Sequence, residues 1–169
     1  MVCCVTGHRP EGFPFPRGET DIEYVLYSDS LITEITKLIH LGYNTFIFGS
    51  AAGADTDFAN AVIFLRDNEG YDISLEAALP YPAKPSKSPT EKTVDRINLL
   101  KLCDTVNTVS PNYHKGCMQK RNEYMVSKSD LVLAIWNGNQ KGGTWNTIKY
   151  ANKTKTPVKY IMLNDFLPL

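Results

Sequence analysis

No apolar stretch in the 169 residues approaches the roughly 20 that a bilayer-crossing helix needs, so a helical membrane protein is excluded at the outset. Cysteine is scarce: Cys3, Cys4, Cys103 and Cys117 contain no CxxC pair. That excludes a disulfide framework, leaves no zinc-ligand spacing, and points to a reducing, cytoplasmic setting. Charge of one sign is absent too. Eighteen Lys+Arg balance eighteen Asp+Glu, which argues against a generally basic nucleic-acid or membrane-surface binder. The N-terminal run Met1-Val2-Cys3-Cys4-Val5 has no basic region before it and does not read as a signal peptide. There is no internal repeat, low-complexity tract or linker. No Walker loop and no full GxGxxG pattern occurs.

What is present is an alternation of short apolar runs with longer amphipathic ones. Strands are expected at Val2 to Val5, Thr45 to Phe48, Asp72 to Leu79, Thr105 to Val109, Leu131 to Trp136 and Pro157 to Leu163. Helices are expected at Asp21 to Leu41, Asp55 to Arg66, Thr90 to Leu102, Gly116 to Lys128 and from Gly142-Gly143 through Ala151. Four prolines between Pro80 and Pro89 should break regular structure. The pattern predicts one α/β domain over residues 1–169, doubly wound around a mainly parallel sheet. The first, second and fifth apolar runs are the least polar and should lie centrally.

Ligands of open α/β sheets bind beyond the carboxyl ends of strands, so the loops after the strands are where chemistry is sought. Gly49-Ser50-Ala51-Ala52-Gly53-Ala54-Asp55 joins a strand to a helix with small residues. Free N–H groups and the positive helix end there suit a phosphate, although tight helix–sheet packing would use the same residues. Gly142-Gly143-Thr144 is a second such junction, with Thr144 placed either to cap the helix or to meet a phosphate. Thr6-Gly7-His8-Arg9 lies just past the first strand. Arg9 can take a phosphate bidentately, and His8 can titrate or stack. Lys120, Arg121 and Asn122 sit early in a helix, where cations oppose the helix dipole unless an anion is near. Asp55 and Asp57 suit either a helix start or a ribose hydroxyl. Trp136 and Trp145 suit packing or base stacking. His40 and His114 have no evident partner.

Several of these strings occur together in one known family. Cys3-Cys4-Val5-Thr6-Gly7-His8-Arg9-Pro10, Phe48-Gly49-Ser50-Ala51-Ala52-Gly53-Ala54-Asp55, Leu75-Glu76-Ala77-Ala78-Leu79-Pro80-Tyr81, Gly116-Cys117-Met118-Gln119-Lys120-Arg121-Asn122 and Gly143-Thr144-Trp145-Asn146-Thr147 resemble the YpsA-like branch of the SLOG superfamily. The resemblance implies a Rossmann-like fold and a nucleotide-derived ligand, either a nucleoside phosphate or an ADP-ribose-like, signalling-type molecule. SLOG relatives include LOG-type phosphoribohydrolases, DprA proteins and domains that sense ADP-ribose-like molecules. Met118, Arg121, Met125 and Asp130 match the arginine-bearing helix of the LOG proteins, which implies a catalytic and substrate-binding role for Arg121. Gly143-Thr144 matches their second motif, but Thr147 stands where they carry a catalytic glutamate. Their hydrolysis needs a carboxylate. Glu76 is the first candidate to replace it, with Asp55 and Asp57 behind.

The expected binding set is therefore Thr6, Gly7, His8, Arg9, Gly49, Ser50, Gly53, Ala54, Asp55, Arg121, Asn122, Gly142, Gly143 and Thr144, with Glu76 and Arg121 as catalytic candidates. No metal or cofactor is expected. Four functions compete. The leading one is a binder of a nucleotide-derived small molecule. The others are an N-glycosidase or phosphohydrolase, a DprA-like single-strand binder disfavoured by the zero net charge, and an adaptor regulating a protein partner. Analogy with LOG proteins suggests a homodimer. Arg121→Ala is expected to weaken phosphate binding while leaving folding nearly intact.

Overall fold

In the computed structural model, residues 1–82 and 90–168 are described. Six strands form one sheet: β1 (Val2–Gly7), β2 (Thr45–Phe48), β3 (Ser74–Leu79), β4 (Thr105–Thr108), β5 (Leu131–Trp136) and β6 (Val158–Met162). Their order is β4-β3-β2-β1-β5-β6, and every neighbouring pair is parallel. The least polar runs, β2, β1 and β5, are indeed inside the sheet. Leu131 to Ile135 is buried without interruption, as a strand covered on both faces must be.

Five helices supply the cover: α1 (Ile22–His40), α2 (Ala54–Asp67), α3 (Glu91–Lys101), α4 (Cys117–Ser127) and α5 (Gly142–Thr154). Alternation along the strands assigns the faces. Cys3, Val5, Phe46, Phe48, Leu133 and Ile135 join the cluster that holds Tyr27, Leu31 and Ile35 of α1, Phe58 and Val62 of α2, and Leu99 of α3. Cys4, Ile47, Ala78 and Val132 point the other way, onto Met125 and Val126 of α4 and Ala151 of α5. Each fully buried large side chain contributes about 1.5–3 kcal/mol of hydrophobic stabilisation. The adjacent cysteines thus serve opposite cores, and all four cysteines are free thiols. The architecture is Rossmann-like and doubly wound.

The boundaries differ from expectation by two or more residues in three places with local causes. β1 runs past Val5 through Thr6 and Gly7, expected beyond the strand, because both continue the ladder to β5 opposite Ala134 and Ile135. β3 starts at Ser74 rather than Asp72, because its ladder to β2 begins where Ser74 N donates to Asn44 O at 2.9 Å. α5 runs past Ala151 to Thr154 and stops where Lys155 turns left-handed at φ 61°, a common helix ending. The proline-rich segment expected to lack regular structure falls, from 83 to 89, outside the described residues.

The strand order fixes where a ligand can enter. The chain builds outward from β1 through β2 and β3 to β4. It then returns across the sheet through α4 to place β5 on the other side of β1. Connections leaving β1 and β5 therefore diverge to opposite faces, and a crevice opens at their carboxyl ends.

Candidate functional site

A cleft of about 450 Å³ occupies that crevice, within the usual range for small-molecule sites. It gathers Thr6, Gly7, His8 and Arg9 from the end of β1, Asp55 from α2, Arg121 and Asn122 from α4, and Gly142, Gly143 and Thr144 from α5. These residues are spread over the chain and meet only because the strand order reverses between β1 and β5.

Three helices begin around this cleft without a side-chain cap. The residue before α2 is Gly53, before α4 Gly116, and before α5 Lys141, and none makes a side-chain cap hydrogen bond. Each helix places a first-turn residue in the cleft wall: Asp55, Met118, and Gly142 to Thr144 respectively. Of the two helices that do not line it, α1 also starts without a side-chain cap hydrogen bond, whereas α3 is capped by Thr90, whose hydroxyl accepts from Thr93 N at 3.4 Å. An uncapped helix start leaves backbone donors and positive dipole ends available to an anion. Thr144 lies inside the first turn of α5, not at the cap position expected for it.

At the floor, Arg121 is 8% exposed and Asp55 7%. Arg121 donates from one terminal nitrogen to Gly49 O and, at 3.4 Å, to Ala78 O; its Nε donates to Asn122 Oδ1 at 2.8 Å. Asp55 Oδ2 accepts from Ala51 N at 3.1 Å. Burial raises the Asp55 pKa, with the Arg121 charge the main opposing influence. Burial likewise lowers the Arg121 pKa, and Asp55 opposes that. Gly49 makes the arrangement possible: a Cβ there would run into the Arg121 guanidinium and stand 2.8 Å from Asp55 Oδ2. The expectation that Arg121→Ala spares folding is therefore corrected. Arg121 donates to two buried carbonyls beside a buried carboxylate, so its removal leaves both carbonyls without that donor and Asp55 without the charge that most opposes its burial.

His8 forms the opposite wall. Its Nε2 is buried without a hydrogen-bond partner. Desolvation lowers its pKa, and the neighbouring Asn137 side chain offsets this in part. A lowered histidine pKa means that protonation costs the folded state. Stability from this site is thus complete above about pH 6.5 and is lost as pH falls through the lowered value. His8→Gln should flatten that segment of a melting-temperature profile between about pH 7 and pH 5. An unchanged slope would remove His8 as its source.

Not every expected residue reaches the cleft. Glu76 does not. It is the third residue of β3 and lies on the α4 face of the sheet, where its Oε1 accepts from Tyr124 Oη at 2.8 Å and Asn107 Nδ2 at 2.9 Å. Its side chain leaves the sheet sideways, whereas the cleft opens beyond the strand ends. Asp57 is occupied elsewhere, held by Arg17 at 2.6 Å, Tyr24 at 3.1 Å and Tyr27 at 3.2 Å. Thr147 is buried, with its hydroxyl donating to Gly143 O at 2.9 Å. Ala54 is buried against Gly7 and supports the cleft without lining it. Gly49 and Ser50 line a smaller adjoining chamber, and Gly53 packs on the backbone of His8 and Arg9. Trp136 and Trp145 stack on each other, centroids 5.5 Å apart, away from the cleft.

Sequence reasoning missed Arg96, Lys141 and Glu11. Lys141 and Glu11 adjoin motifs that were singled out, so their proximity was a usable signal. Arg96 gave none: it reaches the site from α3, with Nε donating at 2.9 Å to Ser50 Oγ across 46 positions of sequence.

The chain as a whole is similar to known proteins. The chain is 27% identical over 139 residues to the uncharacterized SPbeta prophage-derived protein YoqJ of Bacillus subtilis, covering 75% of this chain and 80% of that one. It is 24% identical over 162 residues to a UPF0398 protein of Halalkalibacterium halodurans, covering 94% and 84%. The YspA SLOG family matches residues 3–166, a span that takes in every segment of the cleft. A six-stranded parallel sheet, a crevice at its strand-order reversal and a family match over almost the full length lead to one conclusion: the chain belongs to the YspA SLOG family.

Proposed function

We propose that this protein binds a nucleotide-derived small molecule in the cleft, with a phosphate held by Arg9, Arg121 and the open start of α5. The observation that carries this reading is the meeting of two arginines and three uncapped helix starts at the strand-order reversal. In this reading Asp55, a carboxylate of the cleft wall, accepts from a sugar hydroxyl. The four free thiols fit a cytoplasmic protein.

Hydrolysis is the second reading, and Asp55 is the observation that favours it. It is a carboxylate in the cleft wall whose burial raises its pKa toward the range of a general acid. Its bond from Ala51 N and the neighbouring Arg121 favour a binding role instead. The LOG-type reaction would lack its glutamate, because Thr147 stands at that position, and its hydroxyl donates to Gly143 O.

Incubation with nucleoside monophosphates, ADP-ribose and NAD, followed by chromatography, separates the two. Stoichiometric retention of unchanged ligand is expected. Multiple turnovers abolished by Asp55→Asn would instead make this a hydrolase; a catalytic acid or base typically contributes about 10²–10⁴-fold in rate.

A further inference from the structure

Arg9, Ala51, Met118 and Arg121 line the main cleft and also a second chamber of about 120 Å³, bounded on its far side by Ser50, Tyr81 and Arg96. The two spaces meet at Arg9 and Arg121. The chamber lies well under the roughly 300 Å³ lower end for a whole small-molecule site, and it suits a single charged group rather than a base.

Its charge is one-sided. Among the described residues, three guanidinium groups line it and no carboxylate does. Within that same set, no carboxylate lies within 4.0 Å of Arg9 or Arg96 in an ion pair. The main cleft differs, because Asp55 and Glu11 are in its wall. Arg96 is also anchored. Its Nε bond to Ser50 Oγ, at 2.9 Å, ties this exposed side chain to the chamber wall, and Ser50 is itself 8% exposed. The terminal nitrogens of Arg96 keep their donors, and those groups favour planar, bidentate contacts with phosphate oxygens. The like charges of Arg96 and Arg9 both act to lower the Arg121 pKa. Like charges gathered in a concavity are stabilised by an anion between them.

We propose that this chamber is a second anion subsite, and that the ligand of the cleft carries two linked phosphoryl groups spanned by Arg9 and Arg121, as in a nucleoside diphosphate or a pyrophosphate-linked nucleotide derivative. The inference rests on the cleft being a nucleotide site, and it narrows the ligand class beyond that.

Isothermal titration calorimetry of the full chain tests it with each nucleoside monophosphate, its diphosphate, and ADP-ribose. The wild type should bind a diphosphate about tenfold to a hundredfold more tightly than its monophosphate, the range of one or more charge-assisted hydrogen bonds. Arg96→Gln should collapse that ratio toward one. If Arg96→Gln fails to fold, Arg96→Lys, which keeps the charge but loses the fork, should still reduce the ratio. Preference for ADP-ribose over ADP would identify the pyrophosphate-linked class, and the reverse the simple diphosphate. A wild-type ratio near one, or a ratio unchanged in the variants, overturns the subsite and leaves the cleft reading standing. Absence of binding by every probe overturns both.

Discussion

Gly53→Val should be among the most destabilising single substitutions in this protein, by about 2–6 kcal/mol from backbone strain and overpacking together. Gly53 has φ 90° and ψ −131°, a region that residues with a Cβ rarely enter, and a misplaced residue there costs about 1–3 kcal/mol. The new Cβ would also stand 2.5 Å from His8 O and 2.9 Å from the Arg9 carbonyl carbon. Those are backbone atoms, so no rotamer change relieves the contact, and overpacking adds about 1–3 kcal/mol. The hydrogen bond from Ala54 N to His8 O, 3.0 Å long, joins the same two loops and would be disturbed. Against a typical total of about 5–15 kcal/mol, the loss removes a large share of stability. Gly70→Val is the matched control: Gly70 has φ 74°, and a Cβ added there would meet nothing within 4 Å. Thermal melting should rank Gly53→Val well below Gly70→Val. Equal melting temperatures would show that the His8–Gly53 contact does not matter.

Arg121→Ala is the second large effect, and it should appear in both folding and binding. Each buried acceptor left unsatisfied costs about 1–3 kcal/mol. Here the loss leaves Gly49 O and Ala78 O without their donor and takes away the cation beside Asp55. Asp55 then gives the variant a pH signature. Its folded pKa is already raised by burial, so its contribution is favourable below the unfolded value of about 3.9 and is lost as pH rises through the folded value. Without Arg121 the folded pKa rises further and the loss grows. Adding Asp55→Asn to Arg121→Ala should restore part of the stability at neutral pH, because the stranded charge is gone. Denaturant unfolding of both singles and the double decides this. Strict additivity would show that Arg121 and Asp55 are not coupled.

These two effects concern residues that the sequence made visible to different degrees. Gly53 was legible as a close-approach glycine because it lies between a strand and a helix in a run of small residues. Arg121 was legible as a site residue, but its burial was not, since Ala78 and Gly49 come from different strand ends. The strands were readable because an all-parallel sheet buries short, continuous apolar runs, with Leu131 to Ile135 the clearest. The crevice followed from the rule about strand ends. What could not be read was side-chain direction and long-range partnership. Glu76 looked close to a strand end, yet it shares a sheet face with Ala78 and turns toward Tyr124 on α4. Arg96 sits in an ordinary amphipathic helix and gains meaning only from its bond to Ser50. Asp57, a plausible helix-start acid, is drawn into a cluster with Arg17, Tyr24 and Tyr27 from segments 30 to 40 positions away.

Nitrogen-15 amide NMR during titration with nucleoside mono- and diphosphates tests the cleft assignment most directly, because it reports where a ligand sits as well as whether it binds. Saturable shifts are expected at the amides of Gly7 at the end of β1, of His8 and Arg9 beyond it, and of Gly142, Gly143 and Thr144 at the start of α5. No saturable shift with any of these nucleotides, or shifts confined to another surface, would contradict nucleotide binding at the strand-order reversal.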